Sequence, residues 1–597
     1  MKYNNLAEMF VSNAERLKER TAFMYKHEGQ YKSISYNEAW TIVKKIAAGL
    51  ASLGVKRGEK VALLSENRYE WAFTDYAVLA LGAVNVPIYP SLLTYQVEYL
   101  LKDSGARVIL CSDRVQLAKV ESVRAHCPVL EKIIVFSPDQ ESASYLSLKQ
   151  LLNLGETYLK QNPDFIRAEI AKTGLNDMAT IIYTSGTTGE PRGAMLTHGN
   201  FLSNIESSLN YLHVGENDLF LSFLPLCHVF ERMAGHFLAY YCGSAIAYAE
   251  SIDSVALNMG EVKPTVMASV PRLYEKIYAR ILENVENGPA LKRKIFYWAI
   301  GVGRQYIDCI MYKKPISSSL NLKRNLAYKL VFSKLAERVG GRLRFFVSGG
   351  APLAKEIGEF FGAAGLMIYE GYGLTETSPV ITVNKEDQFR FGTVGLVIPG
   401  VEVRIAEDGE ILTRGPHVML GYYNKESETR DAIDEAGWFH TGDIGFIDEK
   451  DGFLTITDRK KNIIVTSGGK NIAPQPIENQ LVICKFIEQA VIIGDKRRYC
   501  TAVIVPAFDP LEKWAKDTSI SFVSRRDLVM LPAVRELYKK EVESVNNNLA
   551  SYESIKDFIL TDSSFSIETG ELTPSLKVKR NVVMDKFKDA IEKMYQG

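Results

Sequence analysis

The stretch 179-ATIIYTSGTTGEPRG-193 decides the reading of this chain. Its first five residues form a short apolar, β-rich run, which predicts a buried strand. The strand then gives way to Thr184, Ser185, Gly186, Thr187, Thr188 and Gly189, followed by Pro191, Arg192 and Gly193. Hydroxyls and backbone N–H groups packed into such a turn can wrap a polyphosphate, and Arg192 supplies a fixed cation beside it. By composition alone the same segment also reads as a flexible loop. The common phosphate loop, G-x-x-x-x-G-K-[ST], is absent, so GTPase or kinase chemistry of that type loses its main support.

Working outward, short β-rich runs (VALLS, VNVPIYP, ARVILCS) alternate from Lys60 to Asp113 with helical segments at Tyr69–Gly82 and Thr94–Asp103. That alternation predicts βαβ units on a parallel sheet. Similar runs recur at Leu219–Leu224, Thr265–Ser269 and Leu343–Ser348, which points to several sheet layers in one large region. Residues 283–338 turn helical and basic, and read as a solvated helical hairpin in preference to a partner-binding surface. From Gly392 short strands and Asp-Gly pairs mark tight hairpins. A boundary is expected near Asp458–Lys461. Beyond it, 460–597 reads as a compact α+β unit with helices at Gln475–Leu481 and Leu528–Ala550 and a strand at Ala502–Pro506.

The chain has 597 residues with 71 Lys+Arg against 71 Asp+Glu. A net charge of zero argues against nucleic-acid binding through an overall field, which needs excess clustered cations. Seven cysteines without a C-x-x-C pair suit a reducing compartment and make zinc ligation an unpromising reading. The start has no apolar core of signal-peptide length. The most apolar run, Tyr76–Ile88, is too short to span a bilayer and is broken by Gly82, Asn85 and Pro87. A cytoplasmic setting is expected, with peripheral contact at the inner membrane face and a homodimer both left open.

Five further strings carry chemistry. In 348-SGGAPL-353, Gly349, Gly350, Ala351 and Pro352 follow a strand, where a flat ring or a phosphate can approach the backbone. In 369-YEGYGLTET-377, the ring of Tyr372 can stack on a base and the carboxylate of Glu376 can hold the Mg²⁺ that accompanies ATP. Tyr372 also reads as core, and Glu376 as a helix N-terminal carboxylate. Asp443, in 437-GWFHTGDIG-445, can accept both hydroxyls of a ribose. The fourth is 458-DRKKNIIVTSGGKNIAP-474, at the expected boundary; the fifth is 572-LTPSLKVKR-580, where Lys577 can project on a loop.

These strings, in this order, resemble the core motifs of the adenylate-forming superfamily of acyl-CoA synthetases, luciferases and peptide-synthetase adenylation domains. The segments 224-LPLCHVFER-232 and 270-VPRLYEK-276, with the run Gly437–Lys461, are most similar to long-chain fatty acyl-CoA synthetases. The resemblance covers nearly the whole chain. It implies an α/β fold: a large N-terminal domain of layered α/β subdomains (1–459) and a small mobile α+β domain (460–597). It implies an enzyme that joins a fatty acid to AMP, using Mg²⁺ and ATP, and then transfers the acyl group to coenzyme A.

Residue by residue, the resemblance implies that Thr184–Gly193 grips the phosphates and that Thr184 and Glu376 hold Mg²⁺. Gly349–Pro352 with Glu370, Gly371, Tyr372 and Gly373 would frame adenine, and Thr375 would approach the α-phosphate. Asp443 and Arg459 would bind ribose, and Lys577 would be the adenylation lysine. Lys461 falls at the hinge. Gly468, Gly469 and Lys470 would line a channel for the pantetheine arm after rotation. His228 is an acyl-pocket candidate that reads equally as a structural histidine; the stretch His236–Tyr248 is a candidate tunnel wall or ordinary core. Two departures stand out: Arg192 replaces the family's usual Lys, and Leu576 stands where many members have Gly. The nearest rival, a fatty acyl-AMP ligase serving a carrier protein, would carry an insertion near the hinge; none is visible between Asp443 and Pro474. A non-catalytic descendant would be expected to have lost Lys577 or Glu376.

Overall fold

The computed structural model describes residues 1–140, 142–184, 190–573 and 577–596. Ser185–Gly189, the centre of the expected phosphate loop, and Leu576 therefore lie outside the described residues.

Among the described residues two large sheets dominate the N-terminal part, one of nine strands and one of eight. The β-rich runs form their parallel centres: Lys60–Leu64 pairs with Val84–Ile88 and Val108–Cys111, and Val266–Ser269 pairs with Phe345–Ser348, which pairs with Met367–Gly373. The helices Tyr69–Ala80 and Thr94–Ser104 alternate with the first set, as the hydrophobic period predicts. One apolar core lies between the two sheets and a second covers the outer face of the eight-stranded sheet. Burying both faces is what allows these strands to be apolar along their whole length.

The Asp-Gly hairpins appear where expected. Glu402–Ile405 pairs with Glu410–Arg414 across Asp408-Gly409, and Phe439–Ile447 with Leu454–Arg459 across Asp451-Gly452. The C-terminal part has its own three-stranded sheet with apolar clusters on both faces. The expected strand is Cys500–Pro506 and the first expected helix is Pro474–Ile483. The helix expected over Leu528–Ala550 is instead two, Arg525–Met530 and Pro532–Asn546. Pro532 forces the break: it holds Leu531 extended (ψ 134°) and opens the second helix at its first turn. Ion pairs join the two parts, between Arg272 and Glu488 and between Lys513 Nζ and Glu283 Oε1 at 3.0 Å.

Candidate functional site

The parallel strands deliver their carboxyl ends to one cleft, the usual place for a ligand in an open α/β sheet. Thr184 ends the strand Met178–Thr184, Gly349 follows Phe345–Ser348, and Tyr372 is the penultimate residue of Met367–Gly373. The cleft encloses about 1840 Å³ and reaches the C-terminal part. Gly373 must be glycine, because a Cβ there would stand 1.6 Å from the carbonyl oxygen of Pro379. That closeness fixes the turn that carries Thr375 and Glu376.

The polar end is built from interlocked bonds. The Tyr372 hydroxyl donates to Asp443 Oδ2 at 2.7 Å, and Arg459 Nε lies 3.4 Å from Asp443 Oδ1. The β-ladder places Asp443 directly opposite Arg459. Burial raises the Asp443 carboxyl above its ordinary range, and the Arg459 guanidinium opposes that shift. Glu376 is buried, and its Oε1 accepts from the Tyr422 hydroxyl at 2.8 Å. The Arg192 guanidinium sits 4.4 Å above the Tyr422 ring and reaches Glu428 at 3.5 Å. Tyr422 thus connects the two, a position that the sequence reading missed. Its only signal is structural: it pairs with Ala194 beside the strand Arg192–Thr197.

Lys577 enters this end from the C-terminal part. Its side chain is exposed to solvent, but inside the cleft, between the walls of the two parts. Burial and the neighbouring Arg459 charge bring its ammonium down to about 8, although Asp443 and Glu376 pull the other way. Lys461 is also brought to about 8, by burial and by Arg459, Arg192 and Lys577. Two ammoniums held down beside the guanidiniums of Arg192 and Arg459 make this end an anion site.

The other end of the cleft is apolar. His228, Val229, Phe230, Met233, Ala234 and Leu238 line it along one helical run, part of which is a π-helix at Glu231–Phe237. His228 Nδ1 accepts from the Phe230 N–H at 3.2 Å, so the proton of the neutral ring is on Nε2. Burial takes its pKa down to about 3, with the Lys577 charge adding to the shift. Of the two readings of His236–Tyr248, ordinary core fits the structure: only Leu238 of that stretch reaches the cleft, while His236 and Tyr240 are fully buried among aromatic rings. Arg232, fully buried, turns away from the cleft to pair with Asp75 (Nε–Oδ2 2.9 Å) and donates to Thr180 Oγ1 at 2.7 Å. The bond to Thr180 straps the apolar wall to the strand that leads into the phosphate-loop segment.

The remaining expected residues divide cleanly. Gly349, Gly350, Ala351, Pro352, Glu370, Gly371 and Thr375 all line the cleft. Glu370 is buried at the strand end, and burial lifts its carboxyl to about 8. Gly468, Gly469 and Lys470 do not line it: they form an exposed turn between the strands Ile464–Val465 and Asn471–Ile472, with Lys470 Nζ 5.7 Å from the Tyr552 ring.

A divalent cation fits the donors present. Thr184 and Glu376 offer oxygen ligands, the preference of Mg²⁺. Among the described residues no Lys or Arg lies within 4.0 Å of the buried Glu376 carboxylate, which leaves its charge for another cation. No cluster of three His, Cys, Asp or Glu side chains that could hold a metal occurs among them either, so an ion here would rely on substrate phosphates as well.

The model of the AMP-binding enzyme family matches residues 10–423, and that of the AMP-binding enzyme C-terminal domain matches 461–597. The chain belongs to the AMP-binding enzyme family. Within the family it is 37% identical to a long-chain-fatty-acid–CoA ligase of Mycobacterium tuberculosis, over 99% of this chain and 97% of that one. It is 34% identical to a peroxisomal long-chain acyl-CoA synthetase of Arabidopsis thaliana, over 95% and 82%. Among solved structures it superposes on an anthranilate CoA ligase in complex with anthranoyl-AMP with a TM-score of 0.77 at 20% identity, covering 99% of this chain and 98% of that one. This last likeness bears on the fold: a large multi-sheet N-terminal domain with a separate C-terminal domain.

Proposed function

We propose that this AMP-binding enzyme is a long-chain fatty acid:CoA ligase that forms AMP. A carboxylate is a poor acyl donor because its charge repels nucleophiles and oxide is a very poor leaving group. Adenylation removes both obstacles. A carboxylate oxygen attacks the α-phosphorus of ATP, the bond to the bridging oxygen breaks, and pyrophosphate leaves with the electron pair. The CoA sulfur then attacks the acyl carbonyl carbon, and AMP leaves.

One observation carries this reading: Lys577 from the C-terminal domain stands with Glu376, Asp443 and Arg459 at the polar end of a cleft whose other end is apolar. In the proposal the Lys577 ammonium spans the carboxylate and the α-phosphoryl oxygens, where charge builds up, and preorganised cations of this kind are the dominant catalytic contribution. Asp443 takes the ribose hydroxyls, and Arg459 holds Asp443. The ring of Tyr372 and the backbone of Gly349–Pro352 bound the adenine. Thr184 and Glu376 would hold Mg²⁺, which when bound neutralises charge on the phosphates. The wall from Val229 to Leu238 receives the acyl chain, and the neutral His228 stands where that wall meets the polar end. Residues 1–459 and 460–597 are the two moving bodies, with Lys461 as hinge. The curated relatives named above as long-chain ligases support the substrate class.

A cytoplasmic enzyme at the inner membrane face belongs to the same proposal, since its acid partitions into lipid; no helix among the described residues is long and apolar enough to cross a bilayer. The test is pyrophosphate release with acids from hexanoate to eicosanoate, with and without CoA. Turnover that rises with chain length and yields acyl-CoA is the expected result. Acyl-AMP that accumulates and is never passed to CoA would point to adenylation alone.

A further inference from the structure

The basic stretch expected to be a solvated hairpin has a second property that composition did not show. The helix Ala290–Met311 packs against Ser318–Ala327, which continues through Tyr328–Phe332 into Ser333–Arg338. Between Leu291 and Leu330 lie nine of the 24 large apolar side chains that are exposed among the described residues. An ordinary surface scatters such residues singly. Here Leu322, Leu326 and Leu330 recur every fourth residue on the water side, 71%, 50% and 44% exposed. This apolar stripe faces outward, the reverse of a core-facing helix.

The charge on the same element is one-sided. From Leu291 to Arg342 twelve Lys and Arg stand against only Asp308 and Glu337, in a chain whose total is balanced. Lys323 and Lys329, which flank the leucine stripe, are exposed. Among the described residues neither has a carboxylate within salt-bridge range. Arg324 is used differently: it lies 5.5 Å from the Tyr306 ring and 5.0 Å from that of Phe332, which ties the second helix to the first. No residue of the hairpin lines the cleft, so its exposed side chains have no part in the site described above.

We propose that this hairpin docks the protein on an anionic lipid bilayer, with Leu322, Leu326 and Leu330 in the headgroup–acyl boundary and Lys323 and Lys329 against the lipid phosphates. An interfacial helix needs this combination of apolar face and flanking lysines, and Tyr297, Trp298, Tyr312 and Tyr328, all exposed, are the ring types that settle at such a boundary. A second copy of the chain docking through the same face would set like charges against each other. A nucleic acid would be served by the cations but not by the leucines, since those interfaces are polar.

The experiment is flotation of the full chain with vesicles of phosphatidylcholine alone or mixed with phosphatidylglycerol, at low and high salt. Binding only to the mixed vesicles, weakened by salt, is expected. Lys323→Glu with Lys329→Glu should weaken it by about 25-fold or more, at about fivefold for each lysine contribution lost. Leu322→Gln with Leu326→Gln should weaken it at least about tenfold. Pyrophosphate release with hexanoate should stay unchanged in both variants, which separates docking from the ligase reading. Equal binding to both vesicle types, or full binding by the lysine variant, overturns the proposal. So does single-stranded polynucleotide binding that survives the leucine changes while vesicles are ignored, or a dimer that the leucine changes dissolve without any vesicle binding.

Discussion

Lys577 and Gly469 belong to the same small domain, yet Lys577 stands in the cleft beside Glu376, Asp443 and Arg459 while Gly469 sits in an exposed turn outside it. The contrast extends to what holds them. The polar end that Lys577 meets is fixed by the Tyr372–Asp443–Arg459 and Tyr422–Glu376 contacts, all within the large domain. Among the described residues the turn of Gly469 is held by the small domain's own bonds, from the N–H groups of Thr466, Ser467 and Gly469 to the carbonyls of Lys470, Arg497 and Thr466. Under the proposed function this arrangement brings the adenylation residues together and leaves the segment read as the thiol channel outside the cleft. On the proposed function the small domain must present its two faces in turn, with Lys461 as pivot.

The comparison can be broken at the pivot first. Lys461→Pro, which restricts the backbone there, is expected to slow thioester formation from supplied acyl-AMP by about 10²-fold, the order of loss that a misplaced reacting group brings. Acyl-AMP formation should be spared, and stopped-flow assays of each half-reaction would read both; unaltered overall turnover would count against a hinge at this residue. Next, Tyr422→Phe removes the hydroxyl bonded to Glu376, and, on the proposed Mg²⁺ role of Glu376, about a tenfold loss of acyl-AMP formation is expected. Thioester formation should not change.

The smallest effect is a pH limb. An ammonium held at about 8 is protonated below that pH and loses its charge above it. kcat/KM for ATP in the adenylation half-reaction, which reports the free enzyme, should fall by about half at pH 8 and about tenfold at pH 9. Lys577→Arg should move this limb upward, because a guanidinium stays protonated throughout. His228, at about 3, stays neutral over the same range and adds no acid limb near neutrality.

Much of this was legible in the chain. Apolar runs of four to seven residues between turn signals are enough to place the parallel strands, and glycines with hydroxyls at strand ends mark where a phosphate or ring can approach. Asp443 could be named from its string and Arg459 from the family resemblance, and the β-ladder sets them opposite each other. Tyr422 was not legible, because its role depends on a strand that pairs with Arg192–Thr197 from over two hundred residues away. Which residues of the apolar wall face the cleft was not legible for a similar reason. A π-helix shifts which side chains share a face, so Met233 and Ala234 line the cleft while His236 turns into the core. The outward leucine stripe was hidden because periodicity reports an apolar face and says nothing about what covers it.

The central claim is that one small domain serves one nucleotide with two faces, and the most direct measurement crosses two variants with two half-reactions. Lys577→Ala should lose about 10²–10³ in acyl-AMP formation and keep thioester formation from supplied acyl-AMP. Gly469→Val, at a residue whose φ of +75° disfavours a β-branched side chain, should do the reverse. Opposite losses are the predicted result; the same half-reaction failing in both variants would contradict the account.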